Sequence, residues 1–147
     1  MDANGQILKQ TVEKIIGPEY ERKMDPVKLV DDASAIMKEV EDLRIRNLSR
    51  NEKKIGLVYG KVQSGKTNAM IAATALAFDN GYKIAIILTS NNTELVVQTR
   101  DRFQDKIRGA EYIIETYLYQ DLKENRTLSL ESLRQPDVRI IIVAAKG

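Results

Sequence analysis

Residues 60–67 read Gly-Lys-Val-Gln-Ser-Gly-Lys-Thr and fit the pattern G-x-x-x-x-G-K-[ST] at every fixed position. This pattern forms a phosphate-cradling loop when a strand leads into it and a helix leaves it. Residues 54–59 are mostly apolar and suit a buried strand, whereas residues 68–79 are rich in Ala, Met, Ile and Leu without Pro or Gly. The stretch therefore predicts a strand, a phosphate-binding loop and a helix in that order.

Each residue type in the loop has a physical task. Gly60 and Gly65 permit a close backbone approach, so that successive N–H groups can point at phosphate oxygens. Lys66 can reach the β- and γ-phosphates, and the Thr67 hydroxyl can ligate Mg²⁺, so these two are the candidate catalytic residues. The predicted cofactor-binding residues are Gly60, Val62, Gln63, Ser64, Gly65, Lys66, Thr67 and Asn68. The predicted cofactors are a nucleotide and Mg²⁺, with Thr67 as the metal ligand.

Length and composition limit the class of protein to which the chain can belong. The chain has 147 residues, 43% hydrophobic and 30% charged, which is ordinary for one soluble domain. The longest apolar runs fall far short of the roughly 20 residues that span a bilayer. The N-terminus has no signal-peptide pattern, so we expect a cytoplasmic protein without a membrane partner.

The chain contains neither Cys nor His. Thiolate zinc sites, cysteine nucleophiles and serine–histidine triads are therefore impossible within it, whereas phosphoryl transfer needs little covalent help from the protein. The net charge of +2 is too small to indicate nucleic acid by itself. Basic residues cluster at positions 100–108, but Asp101 and Asp105 lie among them, which favours a solvated helix face.

The first fifty residues are predicted to be a helical N-terminal extension. Apolar residues at positions 7–16 follow helical spacing until Gly17 and Pro18 break the pattern. A second helix should begin at Asp25 and Pro26, and its apolar stripe over positions 29–43 predicts core packing. Residues 48–53 are the expected linker, which gives a boundary between residues 1–50 and 51–147.

From residue 54 the chain alternates between strand and helix. The loop helix should end at Asn80 and Gly81, followed by strands at 83–89, 111–115 and 138–145. A helix at 93–108, capped by Asn91 or Asn92 and ended by Gly109, should connect the first two of these strands. This rhythm predicts an α/β fold with helices on both faces of a parallel, doubly wound sheet.

The motif and the residues after it resemble a known family. The Val-Gln-Ser within the loop, with Asn80-Gly81-Tyr82, Leu88-Thr89, Leu95, Gln98-Thr99 and Arg102, is similar to the Z-one endonuclease domain, which resembles superfamily-two helicase motors. The matching region covers residues 55–108, about a third of the chain. The resemblance implies an incomplete RecA-like P-loop NTPase lobe that binds ATP and acts on DNA within a helicase-like or endonuclease-associated protein.

The resemblance also implies a nucleic-acid contact after the second strand. The corresponding positions are Thr89, Ser90, Asn91, Gln98 and Arg102. From the residues alone, a strand end followed by a helix N-terminus offers amides and hydroxyls that suit a phosphate. Helix capping by Asn91 or Asn92, with Gln98 facing water, is an equally good interpretation.

Several parts of a hydrolytic motor are missing from the pattern. Glu115 is the one acid that ends a strand-like run, and Lys146 and Gly147 follow the last strand where an acid is expected. We therefore expect an N-terminal fragment of a longer ATPase that binds nucleotide and hydrolyses it weakly or not at all. A thymidine-kinase-type phosphotransferase and a non-catalytic, nucleotide-dependent interaction module are the alternatives.

Overall fold

The computed structural model describes residues 1–18, 24–46, 55–59, 66–125 and 133–145. The helices in these ranges are α1 (Gln6–Ile16), α2 (Pro26–Arg46), α3 (Lys66–Asp79), α4 (Thr93–Lys106) and α5 (Tyr119–Asn125). The strands are β1 (Ile55–Tyr59), β2 (Ile84–Thr89), β3 (Ile113–Leu118) and β4 (Val138–Ala145). None of the helices in the described ranges is long and apolar enough to cross a membrane.

The four strands form one parallel sheet in the order β1-β2-β4-β3. Crossovers between parallel strands are right-handed. Helix α3 connects β1 to β2 and helix α4 connects β2 to β3, and both connections run in the same direction across the sheet. These two helices therefore lie on one face. Helix α5 connects β3 back to β4, so it lies on the other face. The predicted α/β class, with helices packed on a parallel sheet, is confirmed.

Helix α3 lies at the centre of the packing. Every residue from 70 to 78 is buried, as expected of a helix that is apolar on all sides. The alanines at positions 72, 73, 75 and 77 are small, so the neighbouring helices can approach the α3 backbone closely. Helices α1 and α2 cover its outer side. The helix that follows the glycine-rich sequence 60–65 is thus packed into the core from residue 70 to residue 78.

The two N-terminal helices belong to the same hydrophobic cluster as α3. Ile7, Leu8 and Val12 of α1 are buried there, together with Leu29 and Met37 of α2. The apolar stripe of α2 therefore packs into the core, as predicted. The boundary predicted at residue 50 and the linker at 48–53 lie outside the described residues.

Three predicted helix ends are confirmed. Asp25 accepts a hydrogen bond from the backbone N–H of Val27 at 3.0 Å, so it caps the start of α2. Gly81 has φ of 94°, the left-handed conformation that ends α3. Of the two asparagines proposed to cap α4, Asn92 is the cap, since its Oδ1 accepts from the N–H of Glu94 at 2.9 Å.

The segment between α4 and α5 differs from the prediction. Helix α4 ends at Lys106 because Ile107 takes an extended conformation and buries its side chain, so Gly109 does not end the helix. The strand expected at 111–115 begins at Ile113, whose N–H donates to the Asp137 carbonyl at 2.9 Å, and continues to Leu118. The short helix α5 follows directly and was not predicted.

Candidate functional site

The strands end together at one side of the sheet, which we call the carboxyl edge: Tyr59, Thr89, Leu118 and Ala145. The first turns of α3 and α4 lie on this side, because each follows a strand that ends there. Parallel α/β sheets bind ligands outside the carboxyl ends of their strands. The carboxyl edge is therefore where a functional site is expected.

Thr67 is the unusual residue at this edge. Its side chain is 2% exposed, yet its Oγ1 has no hydrogen-bond partner among the residues that the structure describes. Leaving a buried hydroxyl unpaired costs about 1–3 kcal/mol. The other buried threonine hydroxyls are all paired: Thr11 with Arg108, Thr74 with Met70, Thr89 with Ser90 and Thr99 with Leu95.

The neighbours of Thr67 surround the first turn of α3. Lys66, the first residue of the helix, is exposed, and Asn68 is half-buried. The helix has 14 residues, so its amino end carries the positive pole of a full helix dipole. The structure thus brings together an exposed cation and a buried hydroxyl at the amino end of a helix. The remaining predicted loop residues, Gly60, Val62, Gln63, Ser64 and Gly65, lie outside the described residues.

The end of β2 contains the first predicted nucleic-acid contacts. Thr89 is 2% exposed, and its hydroxyl donates to the Ser90 carbonyl at 3.2 Å and lies 3.5 Å from the Ala144 carbonyl. It therefore ties the end of β2 to the end of β4 from within the protein. Ser90 and Asn91 are exposed at the carboxyl edge.

The other two predicted contacts lie along α4. Gln98 and Arg102 are both exposed, and because they are four residues apart they share one face of the helix. Nearby basic residues pair with acids, Arg100 with Asp101 at 2.7 Å and Lys106 with Asp105 at 3.5 Å. These pairs are compatible with the solvated helix face predicted for residues 100–108, of which Asp101, Arg102, Gln104, Asp105 and Arg108 are exposed.

Glu115 does not end a strand, contrary to the sequence interpretation. It lies in the middle of β3, opposite Ile140, and its side chain is exposed. Its carboxylate accepts a hydrogen bond from the Tyr117 hydroxyl. This hydrogen bond, together with burial and the negative charge, raises the pKa of Tyr117 to about 12. Glu115 is therefore engaged away from the carboxyl edge.

The opposite side of the sheet, the amino edge, contains a residue that the sequence analysis did not single out. Arg139, in the apolar strand β4, is 6% exposed. Its Nε donates to the Phe78 carbonyl at 3.1 Å, its Nη1 donates to the Pro136 and Val138 carbonyls at 2.8 and 3.0 Å, and its guanidinium lies 5.0 Å from the Tyr112 ring centre. Burial lowers the pKa of Arg139, although Tyr112 and nearby carboxylates oppose that effect.

One signal could have identified Arg139 in advance. It is the sole charged residue in the run Val138–Ala145, and charged residues are almost never fully buried unless they are paired. Such a residue in a buried strand predicts carbonyl or carboxylate partners nearby. Here those partners are backbone carbonyls, which the sequence pattern cannot locate.

The amino edge and the first turn of α3 differ in whether their buried polar side chains are free to bind a ligand. At the amino edge, the buried polar side chains have protein partners, whereas the first turn of α3 holds a buried hydroxyl without one among the described residues.

The chain was compared with models of protein families, with curated proteins and with solved structures, and none of the three comparisons gave a match.

Proposed function

We propose that this protein binds the phosphates of a nucleotide, as its magnesium complex, at the amino end of α3. The observation that carries the proposal is the Thr67 hydroxyl, which is buried without a hydrogen-bond partner among the described residues. A buried hydroxyl is normally paired, so an unpaired one at a helix N-terminus supports a role in binding an anionic ligand with its metal ion. The pattern at residues 60–67 independently supports the same class of ligand.

The residues present suit a magnesium–phosphate ligand. Mg²⁺ binds oxygen ligands and usually retains several waters, so one protein hydroxyl together with phosphate oxygens forms a typical set. Thr67 would hold the ion, which neutralises phosphate charge when it is bound. Lys66 is exposed beside it and would contact the outer phosphates as a point charge, while the positive end of α3 attracts the same anion.

The finer assignment is supported by the resemblance of residues 55–108. On that basis we propose that the protein is a RecA-like P-loop lobe, that its nucleotide is ATP and that it acts on DNA. Ser90, Asn91, Gln98 and Arg102 are exposed and available to backbone phosphates. Because Glu115 lies within β3 and contacts Tyr117, the proposal concerns binding and assigns no residue to hydrolysis.

Isothermal titration with Mg-ATP tests this function. The Lys66→Ala variant should bind about tenfold or more weakly, because a hydrogen bond to a charged group contributes about 1.5–3 kcal/mol. Lys9→Ala is the matched control, since Lys9 is an exposed lysine near the start of α1, and it should bind like the wild type. Indistinguishable heats for the wild type and Lys66→Ala would contradict the proposal.

A further inference from the structure

An open cleft of about 660 Å³ lies beside the first turn of α3. Helix α1 begins next to the end of α3, where the N–H groups of Ile7 and Leu8 contact Asp79, and it runs back towards the start of α3. Its last residues therefore come close to Asn68, which lines the cleft. The volume lies within the range of about 300–1,000 Å³ that is typical of small-molecule sites.

The lining combines an apolar surface with a few polar groups. Ile15, Ile16, Pro18 and Met24 supply the apolar part. Lys14, Lys106 and the Asn68 amide supply donors, and Glu13 supplies an acceptor. Lys106 also lies 3.5 Å from Asp105. A flat aromatic base with polar edges, attached to a sugar and to negatively charged phosphates, matches this mixture of contacts.

The cleft adjoins the proposed phosphate site along the chain. Thr67 and Asn68 are consecutive, so their Cα atoms are about 3.8 Å apart. The Thr67 hydroxyl is buried and without a partner among the described residues, and Asn68 lines the cleft. A ligand that fills both places must have a polyphosphate at one end and a larger, partly apolar group at the other.

We infer that the cleft between the end of α1 and the start of α3 binds the nucleoside part of the nucleotide. This inference rests on the proposed function, because it takes the phosphates to lie at Thr67. It gives the N-terminal helices a role in ligand recognition as well as in packing. Nucleotides should therefore bind more tightly than tripolyphosphate, which has three linked phosphates and one more ionisable oxygen than ATP but no nucleoside.

The test compares Mg-ATP with magnesium tripolyphosphate by isothermal titration. Ile15 and Met24 are partly buried residues of the cleft, and shortening either side chain removes apolar contact with a nucleoside. Each of Ile15→Ala and Met24→Ala should weaken the binding of Mg-ATP about five- to tenfold, as expected for one or two lost methylene contacts. Neither change should alter the affinity for tripolyphosphate. Ile36→Ala is the control, because Ile36 is also a partly buried core residue but lies outside the cleft.

The outcomes separate this inference from the proposed function. If the wild type binds neither ligand, the proposed function fails and the inference fails with it. If the wild type binds both ligands equally, or if the cleft variants bind Mg-ATP like Ile36→Ala, the nucleoside lies elsewhere while the phosphate site stands. If the cleft variants lose affinity for both ligands to the same extent, the substitutions have destabilised the fold, and the inference is also overturned. Urea unfolding of each variant shows that it is folded before the titration.

Discussion

The two edges of the sheet differ in whether every buried polar side chain described there has a partner; at the carboxyl edge Thr89 is paired and Thr67 is not. At the amino edge, Arg139 donates to three carbonyls, and Asp79 accepts from two backbone N–H groups of α1 at 2.9 and 2.7 Å. Thr11 exchanges hydrogen bonds with the Arg108 backbone at the same edge. At the carboxyl edge, Thr67 is as deeply buried but has no partner among the described residues.

On the proposed function, this difference distinguishes an edge that serves stability from an edge that serves ligand binding. Polar groups that are buried for stability are satisfied within the protein, because each unpaired group lowers the free energy of unfolding. We propose that Thr67 is buried and unpaired because a ligand completes it. Changes at the amino edge should therefore alter stability, and changes at the carboxyl edge should alter ligand binding.

The largest expected effect is the loss of stability in Arg139→Met. The change removes the guanidinium donors from the Phe78, Pro136 and Val138 carbonyls, and we expect the free energy of unfolding to fall by about 2–4 kcal/mol. Urea denaturation measures it. The control is Arg134→Met, at an exposed arginine, which should change stability by less than about 0.5 kcal/mol. A loss below about 1 kcal/mol in Arg139→Met would show that the amino edge does not depend on this residue.

A smaller effect is expected from the cap of α1. Asp79→Ala removes the acceptor for the Ile7 and Leu8 N–H groups and should cost about 1–2 kcal/mol, which urea denaturation also measures. Gly5→Ala should disturb the same contact, since a Cβ at Gly5 would clash with the Asp79 side chain. Asp101→Ala, at an exposed acid, serves as the control.

Mg-ATP affinity sharpens this second prediction. If the amino edge is purely structural, folded Asp79→Ala should bind Mg-ATP as the wild type does. A tenfold loss of Mg-ATP affinity in a fully folded Asp79→Ala variant would mean that the two edges are coupled through α1 and α3. The contrast between a structural and a ligand-binding edge would then fail.

The sequence predicted what depends on local pattern. The order of strands and helices apart from α5, the buried stripe of α2 and the left-handed stop at Gly81 follow from periodicity and from residue conformation. The end of β3 was misplaced because pairing with β4, a contact between distant parts of the chain, decides where that strand begins and ends. Glu115 was consequently assigned to a strand end that lies at Leu118.

For the candidate site, the pattern identified Lys66 and Thr67 but not the state of their side chains. That Thr67 Oγ1 is buried and unpaired depends on how α3 packs between the sheet and the N-terminal helices. The cleft beside Asn68 was not predicted either, because its walls come from α1 and α3, which are more than fifty residues apart in the chain. Tertiary packing creates both features.

The central claim is that the Thr67 hydroxyl is kept for a magnesium–nucleotide ligand. Its most direct test is the stabilisation that Mg-ATP gives to Thr67→Val, compared with Thr74→Val and the wild type. Both threonines are buried on α3, but the Thr74 hydroxyl already donates to the Met70 carbonyl at 2.9 Å. Urea denaturation without and with Mg-ATP, at a ligand concentration about 100 times the wild-type Kd, gives the required free energies.

Without ligand, Thr67→Val should be at least as stable as the wild type, because it removes a buried hydroxyl that makes no hydrogen bond in the described structure. With Mg-ATP, the wild type and Thr74→Val should each gain about 2.7 kcal/mol, and Thr67→Val should gain at least about 1.3 kcal/mol less, which corresponds to a tenfold weaker affinity. Equal gains in all three proteins, or a loss of about 1 kcal/mol in Thr67→Val without ligand, would contradict the account.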